Sequence, residues 1–246
     1  MLERRALLED WLRSVLDQDE VILEPASSDA SFRRYWRIHH QGMSYIVMDA
    51  PPSQEDTARF VRLANAWQEL GLRTPEIHGQ NTLQGFLLLE DFGSRHYLDY
   101  LNTDSADRLY GDALGALAII QACAPTVGLP LYDGAFLRRE MDLFRDWLLK
   151  RHLGLALTAQ EARDLDKALA FLAASALEQP RACVHRDFHS RNLMITTSPS
   201  PGILDFQDAV EGPVTYDLVS LLRDCYISWP RRRVEEWAWG YFGLAV

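Results

Sequence analysis

The chain has 246 residues, 48% hydrophobic and 24% charged, which is the balance of an ordinary globular protein long enough for one large or two small cores. A formal charge of −10 argues against nucleic acid or an anionic membrane as the main partner, so a polyanionic ligand has to be met by basic residues gathered locally. No apolar run reaches membrane-spanning length, and the first residues lead into an amphipathic pattern rather than a signal peptide.

In chain order, Leu8, Trp11, Leu12, Val15 and Leu16 recur at helical spacing and predict an amphipathic first helix. Val21, Ile22 and Leu23 and then residues 32–38 read as strands on either side of a loop that contains Ser27, Ser28, Asp29, Ala30 and Ser31. Residues 45–48 form a third strand, closed by Pro51 and Pro52. Ser53 with Asp56 predicts a capping-box start for a helix running to about Gly71, with Phe60, Leu63, Ala64 and Trp67 on its apolar face. Residues 85–89 are a further strand, which leaves through Glu90, Asp91, Phe92 and Gly93 as a loop.

From there the pattern turns helical, over 106–122, 138–152 and 159–178, the last opened by the capping box Thr158 and Glu161. Two more helices are expected over 216–225 and 230–242, where Pro230 suits a first turn. Cys123, Cys183 and Cys225 stand far apart without metal-ligand spacing and predict buried, reduced thiols of a cytoplasmic protein. A strand-rich first part followed by a helical second part predicts an α+β fold of two lobes, residues 1–91 and 92–246.

The chemistry concentrates near residue 190. His185, Asp187 and Asn192 stand in the pattern His-x-Asp-x4-Asn, and Asp205 with Phe206 ends a short apolar run just after it. Ala182, Cys183 and Val184 read as a strand before the motif, Leu193, Met194 and Ile195 as a second, and Ile203 and Leu204 as a third beyond a Ser/Pro-rich turn. A loop, a hairpin and then an acid bring Asp187, Asn192 and Asp205 to one end of that hairpin. Asp and Asn residues that merely form turns would share the composition but not this spacing. Phosphoryl transfer from a nucleotide needs these residue types. One carboxylate orients the acceptor hydroxyl and takes its proton, and an amide oxygen and a second carboxylate hold magnesium on the phosphates.

The motif resembles the catalytic loop and metal-binding Asp-Phe of the protein-kinase-like superfamily, and within it the aminoglycoside phosphotransferase-type small-molecule kinases. His189, two residues after Asp187, fits that branch where protein kinases carry a lysine. Only twelve positions separate Asp205 from Asp217, too few for a peptide-docking activation segment. The resemblance implies a bilobal fold with a small β-rich N-lobe, a larger helical C-lobe and ATP in the cleft between them. It further implies that Asp187 is the base and that Asn192 and Asp205 are magnesium ligands. The loop of Ser27, Ser28, Asp29, Ala30 and Ser31 would cover the phosphates, and Glu90 and Asp91 lie at the adenine-binding hinge. His185, His189 and Asp217 support the catalytic loop, Asp217 through its backbone.

The superfamily's β3 lysine is the clearest departure, because Tyr45, Ile46, Val47, Met48 and Asp49 include none. The nearest cations are Arg33, Arg34 and Arg37, and strand alternation puts Arg33 and Arg37 on one face and Arg34 on the other. Met48 to Pro52, Ser27 to Tyr35 and Leu204 to Ala209 resemble the bacterial anomeric kinases of cell-wall recycling, in which the lysine is also missing. The implied activity is MgATP-dependent phosphorylation of an amino sugar, at the C1 hydroxyl of N-acetylmuramate or N-acetylglucosamine. The implied cofactors are ATP and Mg2+, and the implied partner is a small sugar.

Three other readings remain open at the level of sequence. One is a kinase of another small alcohol, such as an aminoglycoside or a choline-like molecule. The second is a metal-dependent hydrolase built on His185, Asp187, His189 and Asp205, and the third a non-catalytic nucleotide-binding protein. The resemblance also implies further helices beyond Phe242, so an apolar face near Trp237, Trp239 and Phe242 is expected to be exposed.

Overall fold

The apolar stripe of the first helix finds a sheet to cover. In a computed structural model that describes residues 2–27, 32–197 and 199–245, α1 spans Leu2–Leu16. Its Leu8 and Leu12 are fully buried against Leu23, Ile38, Val47, Phe86 and Leu88. Each such leucine contributes about 1.5–3 kcal/mol through area removed from water.

The sheet is five-stranded and antiparallel, made of β1 (Glu24–Ser27), β2 (Arg34–His40), β3 (Met43–Asp49), β4 (Ile77–Asn81) and β5 (Phe86–Glu90) in the order β1-β2-β3-β5-β4. Element ends differ from the sequence reading at several places, and one strand is new. Val21, Ile22 and Leu23 precede the first strand, and β4 was missed because Ile77, His78, Gly79, Gln80 and Asn81 hold a single large apolar residue. The loop residues 28–31 lie outside the described residues.

Between β3 and β4 runs α2 (Thr57–Glu69), whose Phe60, Leu63, Ala64 and Trp67 are buried. Asp56, not Ser53, caps it, its carboxylate accepting from the Arg59 N–H at 3.0 Å. Ser53 sits a full turn too early to reach that orphan donor.

Chain contacts divide the molecule into two compact units, residues 1–113 with 190–207 and residues 114–189 with 208–246. The first unit holds the five-stranded sheet, α1, α2, the short α3 (Tyr97–Tyr100) and the ladder of β7 (Leu193–Met194) and β8 (Gly202–Ile203). The second is mainly helical, with α5 (Gly134–Leu143) running into a π-helix over Phe144–His152 and α6 (Ala159–Leu177) closed at its start by the Thr158–Glu161 capping box. α4 (Ala106–Cys123) begins in one unit and ends in the other.

A second two-stranded ladder, β6 (Arg181–Val184) against β9 (Val210–Pro213), packs Val184 and Val210 on Tyr132 and Leu137. α7 (Tyr216–Leu222) and α8 (Arg231–Ala245) follow. α8 buries Trp237 and Tyr241 and exposes Trp239 and Phe242. Cys183 is buried as expected, whereas Cys123 and Cys225 are exposed, the first at a helix end and the second in the turn after α7. Among the described residues no helix is long and apolar enough to cross a membrane.

Candidate active site

Asp205 is fixed from both sides by packing within the first unit. Before it, β8 is clamped, with Ile203 N–H donating to the Arg73 carbonyl at 2.7 Å. Gly202 is required there, since a Cβ would stand 2.8 Å from the Phe92 ring and from Thr196. After it, Phe206 is buried against Phe60 and Trp67 of α2, with ring centroids 4.7 and 5.6 Å apart. Between these anchors Asp205 takes a left-handed conformation, φ 61°, which Asp tolerates better than most residues.

One oxygen of Asp205 receives both of its side-chain hydrogen bonds among the described residues. Gln207 Nε2 donates at 2.7 Å and Arg33 Nη2 at 3.0 Å, both to Oδ1. Asn192 stands beside it in the same ladder, where its carbonyl accepts the Leu204 N–H at 2.9 Å and Leu193 pairs with Ile203. The loop that leads into Asn192 is held by the Ser190 carbonyl, which accepts from Leu98 N–H at 3.2 Å, and by His96 Nδ1 on the Arg191 carbonyl at 2.8 Å.

The candidate arginines separate cleanly. Arg33 precedes β2, is only 7% exposed, and lies 3.0 Å from Asp205 and 3.6 Å from Glu55. Arg34 is exposed, opposite Asp49 in the ladder. Arg37 grips Asp91 with two bonds, Nε to Oδ2 at 2.6 Å and Nη2 to Oδ1 at 3.0 Å. Burial works against charge on Asp91, but Arg37, the Gly93 N–H and Ser44 together hold its carboxyl below the usual range. The carboxylates of Asp91 and Glu90 are therefore both committed within the protein, Glu90 to Arg73 and to the Glu76 N–H.

In the second unit the loop that carries Asp187 is organised by Asp217. That carboxylate, fully buried in the first turn of α7, accepts from His185 N–H at 2.6 Å and Arg186 N–H at 3.0 Å. Burial pushes its pKa up to about 7; the two N–H groups pull it down, and the nearby Asp187 charge adds to the rise. His185 is also buried, and its Nδ1 accepts the Asp187 N–H at 3.2 Å, so the ring is a backbone prop. Arg186 has φ 80°, and its guanidinium pairs with Glu140 while lying 4.9 Å over the Phe136 ring. Glu140 in turn accepts from the Tyr132 hydroxyl. His189 meets Tyr226 edge-on at 5.4 Å, and its N–H donates to the Asp187 carbonyl at 3.0 Å.

Sequence reasoning missed Glu55, Gln207 and Glu140. Gln207 carried a signal, two residues after Asp205; Glu55 lay in a stretch read only as a helix cap, and Glu140 is remote in sequence. Among the described residues no group of three or more His, Cys, Asp or Glu side chains is placed to hold a metal ion. Magnesium on nucleotide phosphates needs only one or two protein ligands beside phosphate and water oxygens, which Asp205 and Asn192 fit as hard oxygen donors.

A sheet-bearing unit and a helical unit, with an HxDx4N loop pinned by a buried aspartate and a second Asp-Phe after a hairpin, define a bilobal protein-kinase-like α+β fold. The chain belongs to the phosphotransferase enzyme family, whose model matches residues 22–245. It is 48% identical over 223 residues to an N-acetylmuramate/N-acetylglucosamine kinase of Pseudomonas putida, a match covering 91% of this chain and 66% of that protein. It is 50% identical over 213 residues to a protein of the same name from Pseudomonas aeruginosa, covering 87% and 63%. The chain thus spans just under two thirds of the length of these two relatives. In structure it is similar to the ADP-bound aminoglycoside phosphotransferase APH(2'')-Ib, with a TM-score of 0.65 at 17% identity over 97% of this chain and 82% of that one, a likeness of fold.

Proposed function

We propose that this chain is a MgATP-dependent kinase of an amino sugar, transferring the γ-phosphoryl group to the anomeric C1 hydroxyl of N-acetylmuramate or N-acetylglucosamine. The observation that carries this reading is the Asp217-pinned loop, in which that carboxylate holds the backbone N–H groups of His185 and Arg186, the two residues before Asp187. The names of its Pseudomonas relatives supply the acceptor.

Asp187 orients the sugar hydroxyl and takes its proton late in the transfer. An anomeric hydroxyl is more acidic than an ordinary alcohol, so less is asked of that base. Asn192 and Asp205 would hold magnesium, which would supply positive charge to the nucleotide's phosphates. By the family resemblance, the loop of Ser27, Ser28, Asp29, Ala30 and Ser31 would serve the phosphates, and the backbone at Glu90 and Asp91 would serve the adenine. The Asp91 and Glu90 side chains hold that hinge in shape through Arg37 and Arg73. His185, His189 and Asp217 keep the catalytic loop in place.

The test is sugar-dependent release of ADP, compared across N-acetylmuramate, N-acetylglucosamine, an aminoglycoside and choline. Release stimulated by the N-acetyl sugars is expected. Stimulation by choline or an aminoglycoside alone would replace the acceptor, and MgATP binding with no acceptor-stimulated release would leave a nucleotide-binding protein.

A further inference from the structure

The chain has two lysines, Lys150 and Lys167, and both belong to the second unit, where they pair with Asp146 and Asp164 on exposed helices. The first unit, with the sheet, Asn192 and Asp205, contains no lysine at all. A transferring phosphoryl group still needs positive charge beyond magnesium. Arg37 and Arg73 are held by Asp91 and Glu90, and Arg34 is exposed. Arg33 is different. It is nearly buried, it joins the Asp205 carboxylate directly, and it stands two residues after Ser31, the last residue of the proposed phosphate-covering loop.

Its partners are unequal. Asp205 Oδ1 lies 3.0 Å from Nη2 and Glu55 Oε2 lies 3.6 Å from Nη1, so two nitrogens of one guanidinium serve two carboxylates. Asp205 is the carboxylate that magnesium also requires under the proposed function. A metal ion and a guanidinium that both need one carboxylate compete for it, and Glu55 gives the displaced guanidinium somewhere to remain anchored.

Resting on the kinase reading, we propose that Arg33 is an exchange cation. Without metal it neutralises Asp205. When magnesium takes Asp205, the guanidinium, tethered by Glu55, serves the phosphates in place of a strand lysine. Glu55 is thus a positioning residue, and Gln207, which donates to the same oxygen of Asp205 at 2.7 Å, keeps that carboxylate oriented through the exchange.

The exchange has a signature that a merely structural arginine lacks, because metal and nucleotide affinities move in opposite directions. Two bindings are measured: Mn2+ alone, from the electron paramagnetic resonance of the free ion, and ATP or AMP with Mg2+, by calorimetry. Removing the competitor in Arg33→Met should tighten Mn2+ alone by on the order of tenfold and weaken ATP by a similar factor, the scale of one charge-assisted hydrogen bond. AMP, which lacks the β- and γ-phosphates, should be nearly unaffected. Arg33→Lys should restore ATP binding. Glu55→Gln removes the anchor that competes with Asp205 for Arg33 and should weaken Mn2+ alone.

Loss of Mn2+ and ATP binding together in Arg33→Met, or equal loss of ATP and AMP, would overturn the proposal. Unchanged Mn2+ affinity in both Arg33→Met and Glu55→Gln would overturn it too. If Arg33→Met does not fold, Arg33→Lys and Glu55→Gln decide the matter, through the ATP-to-AMP ratio of the first and the Mn2+ affinity of the second. Failure of the wild-type chain to bind MgATP would instead reject the kinase reading itself.

Discussion

The two acidic centres of this chain are held by opposite means. Around Asp187 the support is neutral and directional, with backbone N–H groups of His185 and Arg186 aimed at a buried Asp217 and the Asp187 N–H aimed at His185. Around Asp205 the support comes from side chains, one of them charged: Arg33, itself beside Glu55, and Gln207. Backbone donors cannot leave without unfolding the loop, whereas a guanidinium can exchange one anion for another. The contrast suits the proposed division of labour, in which the base stays fixed while the metal ligand changes partners.

The sharpest way to break this contrast is to remove each acid. Asp187→Ala is expected to lower turnover by ~10²–10⁴-fold while MgATP binding stays intact, the usual cost of losing a general base. Near-normal kcat in a folded variant would remove Asp187 from the chemistry.

Asp217→Asn probes the rigid side through pH. The folded pKa of Asp217, about 7, lies above its unfolded value of 3.8, so the native state holds a proton in that window that the unfolded chain does not. The associated stability is fully present below pH 3.8 and lost as pH rises through 7, on the order of 4 kcal/mol in all. The melting temperature of the wild type relative to Asp217→Asn should therefore fall between pH 5 and pH 8. A constant difference would mean that Asp217 titrates alike in both states.

Asp205→Ala should weaken magnesium-dependent ATP binding by roughly 10–100-fold, the scale of a hydrogen bond or contact to a charged group, with metal-free ATP binding little changed. Equal losses with and without Mg2+ in calorimetry would count against its role as a ligand.

Arg37→Met is the smallest expected effect, about 2 kcal/mol of stability from a carboxylate left without its cation. Its pH dependence runs opposite to that of Asp217. The Asp91 carboxyl is held below 3.8, so its contribution is present above that pH and lost as the pH falls through the lowered value. Denaturant titrations at pH 3 and pH 7 should show the wild-type advantage shrinking at the lower pH.

What the sequence revealed and what it hid divide along the range of the interactions. The α2 stripe of Phe60, Leu63, Ala64 and Trp67, the Thr158–Glu161 box and the hairpin before Asp205 are local patterns, and each was legible. The strand β4 was not, because Ile77, Gly79, Gln80 and Asn81 pair with β5 through backbone register rather than apolar alternation. β9 was hidden in the same way, since Glu211, Gly212 and Pro213 carry no apolar alternation yet pair with β6. Strand alternation could not place Arg33, which precedes β2, and nothing local told which carboxylate Arg33 or Arg37 would meet. The partners of Arg33 lie 22 and 172 positions away, at Glu55 and Asp205, and that of Arg186 lies 46 positions back, at Glu140.

The most direct test of the proposed activity is ³¹P NMR of the chain with MgATP and N-acetylmuramate or N-acetylglucosamine, beside a control without sugar. A new sugar-phosphate resonance coupled to the anomeric proton is the expected result. A phosphate coupled to protons at another carbon, or inorganic phosphate alone, would contradict it.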